Sequence, residues 1–457
     1  MSEYTTIDPA TGELLATFAP ADADDIENAL AASRGSYPRW RRTPLEQRAE
    51  LLRRVASRFR ERAEELARLL TLEMGKPVTQ ALGEVAITAA IYEYYADNGA
   101  AFLADEPLAI AGTGEALVRT EPIGPLLGIM PWNYPYYQVA RFAAPNLMLG
   151  NTILLKHAQI CPQSAQAIAE VFAEAALPDG VYLNLFASNE QVATMIADPR
   201  VQGVSLTGSE RAGSAVAEVA GRHLKKYVLE LGGSDPFLVL DDSDLAATVA
   251  AGVGNRITNG GQACTASKRF IVLADVYDRF LDAFVTAMRE CVPADPKDPA
   301  TVFGPLSSHR AVDELARQVD DATAKGAKVA TGGQRIPGPG AYFQATVLTE
   351  VTPQMRAYYE ELFGPVAVVH KVDSPGAAVE LANDSPYGLA ASVFCRDEEL
   401  ARDVADRLES GMVWINGTSK SAPDLPFGGI KRSGVGRELA HYGIGEFANK
   451  KLIRTPR

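Results

Sequence analysis

Apolar and polar positions follow a helical pattern in the first quarter of the chain. Over residues 44–74, leucine, valine and phenylalanine recur three or four positions apart, and arginine and glutamate fill many of the other positions. This spacing places the apolar side chains on one face, which predicts a long amphipathic helix packed against a core. A second helix is predicted over about residues 79–102.

The two ends of the long helix carry their own signals. Thr43, Pro44 and Glu46 match a capping box, with Thr43 as the N-cap, Pro44 as the first helical residue and Glu46 reaching back. Gly75 and Pro77 are typical of a helix end. We therefore expect one uninterrupted helix between these signals.

Residues 115–130 switch to a strand-like pattern. Two apolar runs, EALVRT and PLLGIM, flank a turn at residues 122–125 that contains proline and glycine. The residues alone predict a β-hairpin.

Farther along, short apolar runs alternate with helical stretches. Such alternation predicts parallel sheets with helices on both faces, which is an α/β fold, and a second α/β unit is expected to begin near residue 232. The predicted strands are residues 152–155, 201–206, 227–231 and 270–273, and the predicted helices are about residues 162–176, 210–221 and 244–257.

Length, charge and composition narrow the class of protein. The 457 residues suggest two or three domains at about 150 residues each. A net charge of −13 disfavours nucleic acid and anionic membranes as partners, because the summed field repels polyanions. No apolar run approaches a membrane span, and the N-terminus resembles no secretory signal, so we expect a cytoplasmic protein. Four scattered cysteines and five scattered histidines predict no metal site.

Cys264 stands out as a candidate nucleophile. It follows Asn259, Gly260 and Gly261, a run that breaks helices and lets the backbone approach a ligand closely. A lone intracellular cysteine is more often a small buried apolar residue. The surrounding Gly, Gln, Thr and Ser favour a loop that displays the thiol.

Four segments resemble signatures of the aldehyde dehydrogenase superfamily, in the family's order and at about its spacings. Further matches extend the likeness over nearly the whole chain, and within the superfamily it is closest to the shorter bacterial succinate semialdehyde dehydrogenases. The four segments are PWNYP (131–135), LELGGSDPF (229–237), GGQACTASKR (260–269) and EELFGPV (360–366), and PFGGIKRSGVGRE (426–438) is a further match.

The resemblance implies a domain organisation. It implies a Rossmann-type parallel-sheet domain for NAD(P), an α/β catalytic domain and a small β arm for oligomerisation, in a homodimer or homotetramer. The expected NAD(P)-binding domain is residues 1–112 and 126–231, the catalytic domain is residues 232–430, and the arm is residues 113–125 and 440–457.

The resemblance also assigns catalytic roles. Asn133 matches the residue whose amide holds the oxyanion formed when Cys264 adds to an aldehyde, although an Asn in such a loop is often only a turn residue. Glu230 matches the general base, and its apolar neighbours Leu229 and Leu231 would raise its pKa toward that role. A strand-end Glu that faces solvent or pairs with a lysine is the alternative.

Several residues match positions that bind the cofactor, NAD or NADP. Gly208 and Ser209 open a helix after a strand and would face its pyrophosphate, although Ser209 could also be a simple N-cap. Gln159 stands where NAD-preferring relatives carry a Glu that repels a 2′-phosphate. This chain therefore has no carboxylate at that position to disfavour NADP. The other matching positions are Trp132, Lys156, Glu361 and Phe363.

The substrate prediction rests on Arg141 and Ser421. Arg141 matches the arginine that contacts the distal carboxylate in succinate semialdehyde dehydrogenases, and Ser421 could add a hydroxyl donor. A helix-surface ion pair is the alternative for Arg141. Tyr134, Tyr136 and Tyr137 would equally suit aromatic aldehydes.

We therefore expect NAD(P)-dependent oxidation of an aldehyde to a free acid, with succinate semialdehyde as the substrate. A broad-specificity or aromatic aldehyde dehydrogenase is the main alternative. A CoA-acylating enzyme generally lacks a Glu at the position of Glu230, and a non-catalytic binding descendant would not need Cys264, Glu230 and Asn133 together.

Overall fold

A computed structural model describes residues 4–456 and contains twenty strands and fifteen α-helices. The strands are β1 (Tyr4–Ile7), β2 (Leu14–Phe18), β3 (Glu106–Pro107), β4 (Glu115–Pro122), β5 (Pro125–Met130), β6 (Thr152–His157), β7 (Tyr182–Asn184), β8 (Gly203–Thr207), β9 (Lys226–Glu230), β10 (Asp235–Val239), β11 (Ser267–Leu273), β12 (Lys328–Thr331), β13 (Thr346–Thr349), β14 (Val366–Val372), β15 (Tyr387–Gly388), β16 (Ala390–Phe394), β17 (Met412–Ile415), β18 (Ile430–Lys431), β19 (Gly434–Val435) and β20 (Ala448–Thr455). The helices are α1 (Ala23–Trp40), α2 (Leu45–Glu61), α3 (Ala63–Met74), α4 (Val78–Phe102), α5 (Pro135–Leu149), α6 (Pro162–Glu174), α7 (Asn189–Ala197), α8 (Glu210–Arg222), α9 (Leu245–Ile257), α10 (Ala274–Glu290), α11 (His309–Ala324), α12 (Arg356–Tyr359), α13 (Pro375–Asn383), α14 (Glu398–Arg407) and α15 (Ala440–Gly443).

A six-stranded sheet in the order β19-β9-β8-β5-β6-β7 forms the first α/β unit. All neighbours are parallel except the edge pair of β19 and β9. Successive residues of a strand face opposite sides, so Leu126 joins the core beneath α2 to α6 and Leu127 joins the core beneath α1, α7 and α8. Burial on both faces explains why these strands read as continuous apolar runs.

A seven-stranded sheet in the order β12-β13-β14-β11-β10-β16-β17 forms the second unit, and only β12 runs antiparallel to its neighbour. Phe237 and Val239 face the core of α9 and α10, whereas Leu238 faces the core of α13 and α14. Two parallel sheets with helices on both faces confirm the predicted α/β fold.

The hairpin predicted over residues 115–130 is wrong. β4 lies in a separate three-stranded sheet, β20-β4-β3, whereas β5 lies inside the six-stranded sheet between β6 and β8. All eight residues of β4 pair antiparallel with β20, from Glu115 opposite Thr455 to Pro122 opposite Ala448. The chain therefore turns out of one sheet and into another at residues 123–124, and β4 takes the partner strand that the family resemblance implies.

The capping box predicted at Thr43 is also wrong. Helix α2 begins at Leu45 with Pro44 in the N-cap position and no side-chain cap, and the Thr43 hydroxyl instead donates to the carbonyl oxygen of Arg39 at 3.3 Å. The long helix is moreover interrupted at Arg62, which separates α2 from α3. Among residues 4–456, none of the helices is both long and apolar enough to cross a membrane.

Candidate active site

Two cavities meet at Cys264. The first, here called the sheet-edge groove, has a volume of about 280 Å³, and the second, the helix-side cavity, about 420 Å³. Cys264 and Gln138 line both, so a thiol in one wall is reachable from two sides. The groove is lined by Pro131, Trp132, Asn133, Gln138, Thr207, Gly208, Ser209, Leu231, Gly232, Cys264, Glu361 and Phe363.

The position of the groove follows from the order of the strands. The chain runs from β5 outward to β6 and β7 on one side, and from β8 to β9 on the other, so the strand order reverses between β5 and β8. In such sheets the loops after the two strands separate and leave a crevice at the carboxyl edge, where ligands bind. Trp132 and Asn133 follow β5, and Gly208 and Ser209 follow β8.

A tight turn at Thr258–Gly261 positions the loop of Cys264. Asn259, Gly260 and Gly261 all adopt positive φ angles, and a Cβ at Gly261 would lie 2.3 Å from the carbonyl oxygen of Gly364. Only glycine permits so close an approach. Buried Lys268 then donates to the carbonyl oxygens of Ala263, Cys264 and Ala266 at 2.8–3.1 Å, which holds the loop beside the groove.

Burial raises the pKa of the Cys264 thiol to about 12, although Arg141 and Lys268 act to lower it. The thiol is therefore protonated at neutral pH in the protein without ligands. A reactive thiolate requires that its proton be removed during the reaction.

Asn133 lies in the wall of the groove and is 5% exposed. Its Nδ2 donates to the carbonyl oxygen of Gln262 at 3.1 Å. An amide nitrogen carries two N–H groups, so a second donor remains for an oxygen beside Cys264. The geometry suits the predicted oxyanion role better than that of a turn residue.

Glu230 ends β9 and is 2% exposed, yet it lines neither cavity. A Cβ at Gly428 would lie 2.7 Å from its Oε1, so the carboxyl group points toward the loop of Gly428. Burial raises its pKa well above the usual range, opposed by Arg141 and reinforced by Glu438. The carboxyl group is thus neither exposed nor paired with a lysine, as the alternative required.

The predicted cofactor residues fall into two groups. Gly208, Ser209, Trp132, Glu361 and Phe363 line the groove, and the rings of Trp132 and Phe363 meet edge to face with centroids 5.6 Å apart. Ser209 also caps α8 through the N–H of Ala212 at 3.3 Å. An N-cap leaves the first N–H groups of the helix directed at the groove, so capping and anion binding are compatible here.

Lys156 and Gln159 do not line the groove. Lys156 is the second-last residue of β6, is 8% exposed, and burial lowers its pKa to about 8. Gln159 is half-buried, and its carbonyl oxygen accepts from the N–H of Thr5 at 3.1 Å. Lys156 lies near the carboxyl end of β6, the strand next to β5, and Gln159 comes just after that strand. A ligand that extends beyond the groove along this edge of the sheet would approach both.

The groove fits a dinucleotide on chemical grounds. Gly232 leaves room for Glu361, because a Cβ there would lie 2.5 Å from its Oε2. The N–H of Gly233 donates to Glu361 at 3.0 Å, which directs this half-buried carboxyl group into the groove as an acceptor for hydroxyl groups. A helix N-terminus for phosphates, a carboxylate for a ribose and an aromatic pair are therefore present together.

Arg141 and Ser421 line the helix-side cavity together with Cys264. Arg141 is 1% exposed and forms an ion pair with Glu438 at 2.5 Å, while its guanidinium carbon lies 4.2 Å from the centre of the Phe427 ring. The Tyr137 hydroxyl donates to Ser421 Oγ at 2.7 Å. A helix-surface ion pair for Arg141 is excluded, since both partners are buried.

Some residues of the site were missed by sequence reasoning. Gln138 is 1% exposed and precedes Arg141 by three residues, so helical spacing alone could have placed it on the same face. Lys420 lines the helix-side cavity between Ser419 and Ser421. Lys76 and Glu84 contact the Asn133 loop but lie about fifty residues before it in the sequence. Nothing in the sequence around them therefore indicates that they belong to the site.

Comparison with known proteins gives a consistent result. Residues 1–453 match the model of the aldehyde dehydrogenase family. A succinate-semialdehyde dehydrogenase of Deinococcus radiodurans, named for NADP+, is 54% identical over 99% of this chain and 94% of its own length. One from Escherichia coli K12, named for NAD(P)+, is 47% identical over 98% of this chain and 97% of its own. A crystal structure of the Streptococcus pyogenes succinic semialdehyde dehydrogenase with NADP+ superposes with a TM-score of 0.97 at 43% identity, over 99% of this chain and 100% of that one.

Proposed function

The chain belongs to the aldehyde dehydrogenase family, and on that premise we propose that it oxidises succinate semialdehyde to succinate with NADP+. The observation that carries the proposal is the buried Arg141 in the wall of a cavity that opens on Cys264. A guanidinium there binds the distal carboxylate while the aldehyde carbon reaches the thiol. The names of the similar proteins point to the same substrate.

The first chemical step belongs to Cys264. Its sulfur adds to the aldehyde carbon as the thiolate, and the thiol proton leaves to a base. The free N–H of the Asn133 amide stabilises the oxyanion of the thiohemiacetal, an interaction worth about 3 kcal/mol in comparable sites. Arg141 and Lys268 favour the thiolate, since both lower the pKa of Cys264.

NADP+, when bound in the groove, would supply the acceptor for a hydride from the thiohemiacetal carbon, and Cys264 would then hold the substrate as a thioester. We assign the removal of a proton from the attacking water to Glu230, whose carboxyl group lies close enough to affect the pKa of Cys264. Its raised pKa makes it a stronger base than an exposed carboxylate. The products are succinate, NADPH and two protons, with water as the source of the added oxygen.

Cofactor choice follows from charge at Gln159. This side chain presents no negative charge to a 2′-phosphate, and the similar proteins are named for NADP+ or NAD(P)+. We assign the 2′-phosphate to the vicinity of Gln159, the riboses to Lys156 and Glu361, and the pyrophosphate to Gly208 and Ser209.

An aromatic aldehyde is the second candidate substrate. The rings of Tyr134 and Tyr137 line the helix-side cavity. A CoA-acylating reaction is disfavoured by Glu230, whose role is to activate water.

The assembly is a homodimer or homotetramer built through the arm, residues 113–125 and 440–457. The NAD(P)-binding domain comprises residues 1–112 and 126–231, and the catalytic domain residues 232–430. The predicted location is the cytoplasm.

The variant Arg141→Met tests the substrate. It removes the cation but keeps an apolar side chain of similar length, so kcat/KM for succinate semialdehyde should fall about 10- to 100-fold, the loss of a charge-assisted hydrogen bond. Butanal has the same chain length without the carboxylate and is the matched substrate, for which kcat/KM should fall by a clearly smaller factor, because it loses only the effect of Arg141 on the pKa of Cys264. Equal losses of kcat/KM on both aldehydes would contradict the assignment of Arg141 as the residue that binds the carboxylate.

A further inference from the structure

A buried ion pair lies behind the loop that carries Asn133. Lys76 and Glu84 are 1% and 3% exposed, and their side chains pair directly. Both come from the start of α4 and the turn before it, far in sequence from every segment that resembles a family signature. Desolvating a buried pair of charges is costly, so a role beyond stability is a reasonable expectation for its contacts.

Lys76 holds the backbone of Asn133. Its Nζ donates to the Asn133 carbonyl oxygen at 2.9 Å and lies 3.7 Å from the centre of the Tyr134 ring. Asn259 Nδ2, from the turn before Cys264, donates to the same carbonyl oxygen at 2.9 Å. The carbonyl oxygen of Asn133 is therefore held by two donors, Lys76 near the start of α4 and Asn259 in the turn before Cys264.

Glu84 holds the other end of the same loop. Its Oε1 accepts from the N–H groups of Tyr136 and Tyr137 at 2.9 and 3.2 Å. These are first-turn N–H groups of α5, which have no partner within the helix. A carboxylate at a helix N-terminus also interacts favourably with the helix dipole.

The pair thus fixes residues 133–137 at both ends, directly behind the amide that faces the groove. Among residues 4–456, the hydrogen bond that holds the Asn133 side chain is the one that its Nδ2 donates to the carbonyl oxygen of Gln262. We infer that Lys76 and Glu84 are positioning residues, which keep the Asn133 amide where the oxyanion forms. They act on the chemical step through Asn133, and Glu84 also lines the helix-side cavity.

The inference rests on the proposed function, because it assigns a support to the oxyanion donor of that reaction. Oxyanion stabilisation is common to every aldehyde, however. It can therefore be tested with any aldehyde that the enzyme oxidises, whatever becomes of the succinate semialdehyde assignment.

The test is a double-mutant cycle between the ion pair and Asn133. The variant Lys76→Met/Glu84→Gln removes both charges together and keeps an acceptor for the α5 N–H groups. We expect kcat to fall about 10- to 100-fold with KM changed less than about threefold, as for a small misplacement of a catalytic group. In the Asn133→Ala background, which alone costs about 10²- to 10³-fold, the same pair of substitutions should cost less than about threefold more.

Glu73→Gln is the matched control. Glu73 is 1% exposed and accepts from the N–H groups of Gln163 and Ser164 at 2.8 Å, so it caps α6 as Glu84 caps α5. It should lower the melting temperature by a similar amount and leave kcat within about twofold of wild type.

Two results would overturn the inference: a folded pair variant with wild-type kcat, or equal fold-losses with and without Asn133. If the pair variant does not fold, Glu84→Gln alone carried through the same two backgrounds decides by the same criteria. If the wild type oxidises another aldehyde but not succinate semialdehyde, the proposed substrate fails and the cycle is measured with that aldehyde.

Discussion

Two acids with raised pKa values, Cys264 and Glu230, govern the chemistry at the level of single residues. Burial raises the pKa of Cys264 to about 12 and that of Glu230 well above its usual range. Both groups react as anions, and an acid with a raised pKa becomes an anion only at higher pH. Burial therefore favours the protonated form of both groups, and each must lose its proton before it can act.

This predicts the pH dependence of turnover. Because the carboxylate form of Glu230 increases with pH, kcat should rise through the neutral range toward alkaline pH. In Glu230→Gln, hydrolysis of the thioester should be about 10²- to 10⁴-fold slower and nearly independent of pH, while a burst of about one NADPH per site remains. Stopped-flow absorbance at several pH values measures both. A Glu230→Gln variant with unchanged kcat would assign the base to another group.

Cofactor choice is also set at a single residue. Gln159→Glu would place a carboxylate near the expected 2′-phosphate, and the repulsion should raise KM for NADP+ at least about tenfold while KM for NAD+ changes less than about threefold. Gln159→Asn is the neutral control. An unchanged NADP+ KM in Gln159→Glu would place the 2′-phosphate elsewhere.

At the scale of elements, the turn at Thr258–Gly261 brings two loops into contact. Gly261 has φ +76°, and its Cα faces the carbonyl oxygen of Gly364 in the loop of Phe363. The loop of Cys264 therefore packs directly against the loop of Phe363, which lines the groove. Local sequence showed the turn at Gly260 and Gly261, but the partner loop lies a hundred residues away and could not be predicted.

Gly261→Ala should therefore damage both stability and catalysis. The added Cβ meets the Gly364 carbonyl and an unfavourable φ, so we expect a loss of at least about 1–3 kcal/mol in the free energy of unfolding and a larger fractional loss of kcat. Gly221→Ala is the control, since its Cβ would meet nothing within 4 Å. Thermal melting and steady-state rates check the prediction, and a Gly261→Ala protein as active and stable as wild type would contradict it.

The two wrong predictions, the capping box at Thr43 and the hairpin over residues 115–130, both concern the partners of single elements. Thr43 has the residue type and spacing of an N-cap, but its hydroxyl bonds to the preceding helix, which the pattern does not reveal. β4 and β5 read as a hairpin because turn signals carry no information on which sheet each strand joins. Residues 123–124 join two sheets, so β4 finds its partner in β20, more than three hundred residues later.

At the scale of the whole molecule, periodicity predicted both parallel sheets, because strands buried on two faces read as unbroken apolar runs. Asn133 follows β5, Arg141 lies in α5 and Cys264 lies on the loop before β11, and the two cavities that meet at Cys264 bring the three together. Supports such as Lys76 and Glu84 were not predictable, because only the packing of α4 against α5 brings them to Asn133.

The arm, residues 113–125 and 440–457, predicts how many chains associate. β20 carries Leu452, which is 61% exposed, on an edge strand of the small sheet. An unpaired edge with an exposed apolar side chain favours association with another chain. The intact protein should elute with the mass of two or four chains, and a truncation after Phe447 should shift the mass downward. Leu452→Asp, which keeps the strand, should weaken association in the same direction, and a wild type that elutes as a monomer would contradict the arm's role.

The central claim is that the enzyme oxidises succinate semialdehyde with NADP+, and kcat/KM of the wild type tests it most directly. Succinate semialdehyde, butanal and benzaldehyde are compared, each with NADP+ and with NAD+. Succinate semialdehyde with NADP+ should give the highest value, about 10- to 100-fold above butanal, because only this aldehyde carries a carboxylate for Arg141. A value for butanal or benzaldehyde that equals or exceeds it would contradict the account.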